Sequence, residues 1–354
     1  MRPPDVKYTR SGDVAIAYQV VGDGSPDVVF LRGFTGDLLS SWDQPLLVRH
    51  IEGLARDRRL LMLDRRGTGL SDRLREVPSI ESSMDDIRAV MDAERSDRAV
   101  IWTGATGSGV AALFAATYPE RVAGLMLFDP RARGVASPDY PWAMTEDRQR
   151  RRLAMIRARW GDRDFMEELA REYAPEMADD VEFVDWFVWH LRRSLSPGAA
   201  LTLARFEMEL DIRDVLGAVR VPTLLLAHPR RLEQAQYIAD RIRGSQLVRL
   251  PPLRGLYTWV DDACHAATTE ATTAFIASLA APAAPDRVLS TVLFTDIVGS
   301  TELAARVGDA RWREILELHH RVVRRTLARF AGREIDTAGD GFFAAFDGPA
   351  RAVQ

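Results

Sequence analysis

Residues 104–109 read GATGSG, between the apolar run RAVIWT (98–103) and the Ala-rich stretch VAALFAATYPERV (110–122). A strand, a glycine-rich elbow and a helix in that order present a nucleophilic hydroxyl in the pattern G-x-S-x-G. The middle position here is Thr106, whose extra methyl stiffens χ1 and crowds a strained turn. A hydroxyl nucleophile also needs a base within hydrogen-bond reach and an acid that orients the base. A second group of chemistry-bearing residues lies near the C-terminus. Asp296 closes the apolar run VLFT, and Asp340 sits in the turn Gly339-Asp340-Gly341. A strand end and a hairpin tip lying beside it bring the two carboxylates together, where they would repel each other without a cation. The loop from Ile297 to Thr301 leads directly into a helical pattern, so its free N–H groups and the helix dipole can receive phosphate, while Ser300 or Thr301 can equally act as N-caps.

The elements that must hold these residues follow from hydrophobic patterning. From residue 14 to about 130, short β-branched runs (VAIAYQVVG, DVVFLRG, RLLMLDRRG, RAVIWTG, AGLMLFD) alternate with helical stretches. That alternation predicts a doubly wound, mostly parallel sheet covered on both faces. Residues 135–216 break the rhythm with long Trp-bearing helical stretches and read as a helical cap; strands resume at VPTLLLAH and SQLVRLP, followed by a helix near 262–280. The Ala/Pro segment at 281–286 reads as a linker. After it come a strand (287–298), helices broken near Gly308 and a hairpin over 333–348. The length of 354 residues suits about two domains. A net charge of −4 argues against a nucleic-acid surface or a polybasic membrane patch. A single cysteine, Cys264, excludes an internal disulfide. With no signal-peptide pattern and no membrane-length apolar run, a cytoplasmic location is expected.

Residues 8–280 resemble the α/β-hydrolase family, on VVFLRGF (the oxyanion loop region), LLMLDRRGTGLSD, the elbow GATGSG and AATYPERVAGLMLFD. The resemblance places the nucleophile at Thr106; Ser108, two residues on, falls where the family has glycine. The acid should follow VPTLLLAH, but PRRLEQAQ stands there with Glu233 as its only carboxylate. Aligned on Trp259, the position of the base is Leu256, preceded by Gly255. None of the six histidines (His50, His190, His228, His265, His319, His320) falls there. His265 reads as a packing residue and His228 as a hydrogen-bond partner of its loop. The triad is expected to be degenerate, leaving a pocket under the cap for a small apolar ligand, with Trp142, Trp160, Trp186 and Trp189 as its lining or as the cap's own core.

VLFTDIVGSTELAARVGD followed by GREIDTAGDGFFAAFDGPARAV is similar to the class III adenylyl/guanylyl cyclase catalytic domain, an α+β ferredoxin-like fold, of which 287–354 would be the N-terminal part. The resemblance implies two Mg²⁺ or Mn²⁺ ions on Asp296, Asp340 and the Ile297 backbone, and triphosphate on Val298, Gly299, Ser300 and Thr301. It also implies ATP or GTP as substrate and a homodimer through this domain. Adenylyl members carry Lys in the K-T-x-G-D motif where Asp336 stands here. An ionised Asp only accepts hydrogen bonds, which suits the donors of guanine better than adenine. The family's transition-state Asn and Arg would fall beyond Gln354, so weak or absent cyclase activity is expected of these 354 residues. Two alternatives are an active esterase-like hydrolase with a cyclase remnant, and a non-catalytic ligand-binding or dimerisation module.

Overall fold

The computed structural model describes residues 3–33, 35–74, 76–279 and 289–353. The chain divides into two compact units, Met1–Asp286 and Arg287–Gln354. The 281–286 linker lies outside the described residues.

The first unit is built on eight strands: β1 (Lys7–Ser11), β2 (Val14–Val21), β3 (Asp27–Leu31), β4 (Arg59–Leu63), β5 (Ala99–Gly104), β6 (Val122–Phe128), β7 (Thr223–Ala227) and β8 (Gln246–Arg249). Their order across the sheet is β1-β2-β4-β3-β5-β6-β7-β8. Only the β1–β2 and β2–β4 pairs are antiparallel. The edge strand β1, too polar to announce itself, is absent from the sequence reading. Helices α1 (Pro45–Ala55), α2 (Ile80–Ala93) and α3 (Ser108–Thr117) connect the central strands. Alternation explains the burial. Phe30, Met62, Trp102, Met126 and Leu226 join one core with Ile51 and Leu54 of α1, and their strand neighbours face the other way.

Four helices, α4 (Glu146–Arg159), α5 (Arg163–Tyr173), α6 (Val181–Ser194) and α7 (Pro197–Glu209), form the cap between β6 and β7. Gly161, at φ 104, separates α4 from α5 where the sequence showed one continuous helical stretch. Side-chain caps begin three of the four: Thr145 for α4, Asp180 for α6 and Ser196 for α7. Helices α8 (Leu232–Ala239) and α9 (Asp262–Ser278) complete the unit.

The second unit contains β9 (Thr291–Thr295), α10 (Ser300–Val307), α11 (Asp309–Arg329), β10 (Arg333–Ala338), β11 (Gly341–Phe346) and α12 (Pro349–Val353). Its antiparallel sheet runs β10-β11-β9. Phe342, Ala344 and Phe346 of β11 pack with Leu327 of α11 in a small core. Phe294 and Phe343 stack at 4.6 Å on the opposite face, where Phe294 is 70% exposed.

Candidate functional site

In the first unit Thr106 stands just past the carboxyl end of the parallel strand β5. β5 leads through the short 3-10 turn Ala105–Gly107 into α3. Thr106 lies in that turn at ordinary negative φ; among the described residues only Asp57, Arg95, Asp129 and Ala331 are non-glycines at positive φ. The strained elbow expected at Thr106 is therefore not formed, and the turn is relaxed. The Thr106 Oγ1 is buried without a hydrogen-bond partner, as is the Ser108 Oγ. A Cβ added at Gly33 would come within 3.0 Å of Thr106 Oγ1, so the loop after β3 closes over this hydroxyl.

No base reaches it. Leu256, at the family's base position, donates its backbone N–H to Tyr173 O of the cap at 2.7 Å. Beside it the Gly255 N–H donates to the Glu176 carboxylate at 3.1 Å, and a Cβ at Gly255 would meet Glu176 Oε2 at 2.5 Å, so only glycine fits. His265, in the first turn of α9, packs its ring 5.7 Å from that of His50. Glu233 accepts from Trp142 Nε1 at 3.1 Å. Burial pushes the Cys264 thiol up to about 12, which removes it as a nucleophile.

Of the four tryptophans that could line a pocket or pack the cap's own core, two take the second role. Trp160 and Trp186 are buried and donate Nε1–H to Leu195 O at 2.9 Å and Ser40 O at 2.8 Å. Trp186 stacks on His190 and meets Trp259 edge-on, a packed aromatic clamp between α6 and the chain around Leu256. Trp189 is 52% exposed.

One pair escaped the sequence reading. Asp129 follows β6 at φ 41, and His228 follows β7. Asp129 accepts the His228 backbone N–H (3.0 Å) and contacts His228 Nδ1 (3.0 Å), so His228 is tied to the neighbouring strand end rather than to its own loop. Both residues are buried, and His228 Nε2 has no partner. The only signal was an Asp and a His each terminating a fully apolar strand, and nothing local shows that the two strands are adjacent.

In the second unit Ile297 N–H is the meeting point of the two carboxylates, 3.0 Å from Asp296 Oδ1 and 3.1 Å from Asp340 Oδ2. Register explains the approach: β11 pairs with β9 so that Phe342 faces Thr295, placing the residue after β9 beside the tip of the β10–β11 hairpin. Gly339, at φ 64, makes the tight turn. Burial, which pushes Asp340 up, is outweighed by hydrogen bonds from its own backbone, Ser300 and Ile297 and by contact with Asp296, holding its carboxyl below the usual range. Gly299, left-handed at φ 70, turns the chain into α10, whose N-terminus holds Ser300 and Thr301. Val298 is 99% exposed. Two histidines of α11, assigned no role from sequence, support the turn: His319 Nε2 lies 3.1 Å from Asp340 O and His320 Nε2 2.9 Å from Gly339 O. Asp336 is exposed and accepts only its neighbour Thr337 N–H (2.8 Å), next to a bulge between Glu334 and Asp336.

Among the described residues no cluster of three or more His, Cys, Asp or Glu side chains is placed to hold a metal. Two carboxylates and a carbonyl nevertheless suit Mg²⁺, which keeps several waters and takes its remaining ligands from substrate phosphates.

Comparison with known proteins agrees with this division. A family model of the alpha/beta hydrolase fold matches residues 26–185, and one of the adenylate and guanylate cyclase catalytic domain matches 285–354. The chain is 28% identical over 235 residues (62% of this chain, 78% of the other) to a protein of Azorhizobium caulinodans described as "Putative carbamate hydrolase RutD". A hydrolase of Pseudomonas aeruginosa superposes with a TM-score of 0.63 at 21% identity, over 77% of this chain and 99% of that one. A bromoperoxidase of Bacillus anthracis gives 0.65 at 17%, over 77% and 100%. The first unit has the α/β-hydrolase fold. No helix among the described residues is long and apolar enough to cross a membrane.

Proposed function

We propose that the chain is a cyclic-nucleotide signalling protein, in which a class III nucleotidyl cyclase unit is joined to an α/β-hydrolase-fold unit that has lost hydrolase chemistry. The observation that carries this reading is the convergence of Asp296 and Asp340 on the Ile297 N–H at the entrance to α10. In the reaction the ribose 3′-oxygen bonds to the α-phosphorus as the bond to pyrophosphate breaks and the hydroxyl proton leaves. Mg²⁺ or Mn²⁺ bound there would neutralise charge on the attacking oxygen and the phosphates. Asp296, Asp340 and the Ile297 carbonyl would hold the ions. The N–H groups from Val298 to Thr301, at a helix N-terminus, would orient the triphosphate. The exposed Phe294–Phe343 face supports a partner copy as the dimerisation surface.

The test is Mn²⁺ titration of the chain with a fluorescent ATP or GTP analogue. D296N and D340N should each weaken metal-dependent nucleotide binding at least tenfold; binding unchanged in both variants refutes the metal site.

A second reading has one observation in its favour: Thr106 Oγ1 and His228 Nε2 are both unpartnered, and His228 is already oriented by Asp129. That is the donor order of a hydrolytic triad with its base moved from β8 to β7. Turnover of short acyl esters abolished by both T106A and H228Q would establish it, whereas background turnover favours the leading reading.

A further inference from the structure

The turn that carries Asp340 is gripped from behind by α11. Its two central residues are Gly339 and Asp340, since Ala338 pairs with Gly341 across the hairpin. Gly339 is left-handed at φ 64, while Asp340 keeps a negative φ. That combination is a type II′ turn; type I′ needs positive φ at both central residues. Rotation of the peptide joining the two residues converts one form into the other. The local sequence does not choose between them, because glycine and aspartate both tolerate the left-handed region. In the form present, Asp340 Oδ2 lies 3.1 Å from the Ile297 N–H, and a change in the sign of φ at Asp340 would re-aim its side chain.

The choice is made from outside the hairpin. The peptide that would rotate carries Gly339 O, and His320 Nε2 lies 2.9 Å from that oxygen. His319 Nε2 lies 3.1 Å from the next carbonyl, Asp340 O. A carbonyl only accepts, so both rings donate Nε2–H. Consecutive residues of a helix point about 100° apart, so one helix holds two adjacent carbonyls only where the turn straddles its face. Both rings also meet the buried Phe342 edge-on, at 5.8 and 5.2 Å. α11 is itself fixed to β10 by two hydrogen bonds from Arg324 to Glu334, each 2.8 Å.

We propose that His319 and His320 are positioning residues for the metal site: by holding the Asp340 and Gly339 carbonyls they keep the turn in its type II′ form and so aim the Asp340 carboxylate at the Ile297 N–H. The role rests on the reading of Asp296 and Asp340 as metal ligands, whereas the form of the turn is measurable without metal.

The experiment uses the full chain and two readouts. The intraresidue HN–Hα NOE of Asp340, strong at positive φ, reports the turn form in metal-free protein, and Mn²⁺ titration reports affinity. The wild type should show a weak NOE. H320A should make it strong and weaken Mn²⁺ binding about three- to tenfold, the range of one lost hydrogen bond. H320Q, whose amide can donate to Gly339 O, should restore both, and the H319A/H320A double variant should lose more affinity than H320A alone. R321Q, at an exposed position of α11, should match the wild type in both readouts. If H320A does not fold, H320Q against H320N, whose shorter amide does not reach, makes the same comparison. The proposal is overturned if the wild type shows the strong NOE, if H320A changes neither readout, or if H320Q loses as much as H320A. Absence of Mn²⁺ binding in the wild type refutes the metal reading itself, and the positioning role falls with it.

Discussion

His190 offers a quantitative test of how the cap is held. It lies on α6 at 5% exposure, its Nδ1 2.8 Å from Ser40 Oγ in the chain after β3, with its ring stacked on Trp186. The charged groups facing it are Arg32, Arg193 and Asp37. Burial first, then Arg32 and Arg193, push its pKa down to about 3, against the opposing pull of Asp37. In the unfolded chain the same imidazole titrates near 6.5. Between those values the unfolded state binds more protons, so the contribution of His190 is complete above pH 6.5 and is lost as pH falls toward 3. At pH 5 the unfolded state has gained about 1.5 pK units of protonation free energy, or about 2 kcal/mol at 1.36 kcal/mol per unit. His50, also pushed down to about 3, adds a term of the same sign. The measurement is urea unfolding of wild type and H190Q at pH 7, 6 and 5. H190Q retains a hydrogen-bonding group for Ser40 and should be less stable at pH 7, yet its further loss between pH 7 and 5 should be smaller than that of wild type by about 2 kcal/mol. Parallel pH dependences for the two proteins would show that His190 is not held neutral and that the burial argument is wrong.

Two further outcomes concern the second unit. Because Asp336 presents acceptors, D336K should raise the ratio of ATP-analogue to GTP-analogue binding in Mn²⁺ titrations; equal ratios in both proteins would remove Asp336 from base recognition. H319A should loosen the Gly339-Asp340 turn and weaken Mn²⁺ binding by up to about tenfold, with recovery in H319Q, which keeps a donor for Asp340 O; the same loss in both variants would mean that the ring matters only for packing against Phe342.

The central sheet was legible because strands such as β3 to β7 are mostly apolar runs, and the hairpin because Gly339 and Gly341 bracket its turn. What stayed hidden depends on adjacency across the fold. Asp129 and His228 are 99 residues apart and meet only because β6 and β7 pair in register. His319 and His320 are uninformative on a helix until α11 lies beside the β10–β11 turn. The tryptophans were visible as residues, but their destination was not. A ring that lines a pocket and a ring that closes one have the same spacing in sequence, and only the Trp186 bond to Ser40 O and its contact with Trp259 show that it closes the space.

The first unit then poses a question about its buried polar atoms that have no partner. A buried donor or acceptor without a partner costs about 1–3 kcal/mol, and replacing it with an apolar group of the same shape would relieve that cost. Four such atoms are Thr106 Oγ1 and Ser108 Oγ after β5, His228 Nε2 after β7 and Glu207 Oε1 on α7. Thr106 and Ser108 are what a retired elbow would leave behind. Glu207 stands at no position of the triad, and only one of its carboxylate oxygens is satisfied, Oε2 by Arg152 at 3.1 Å, so the cost at Oε1 has a different origin from that at the elbow.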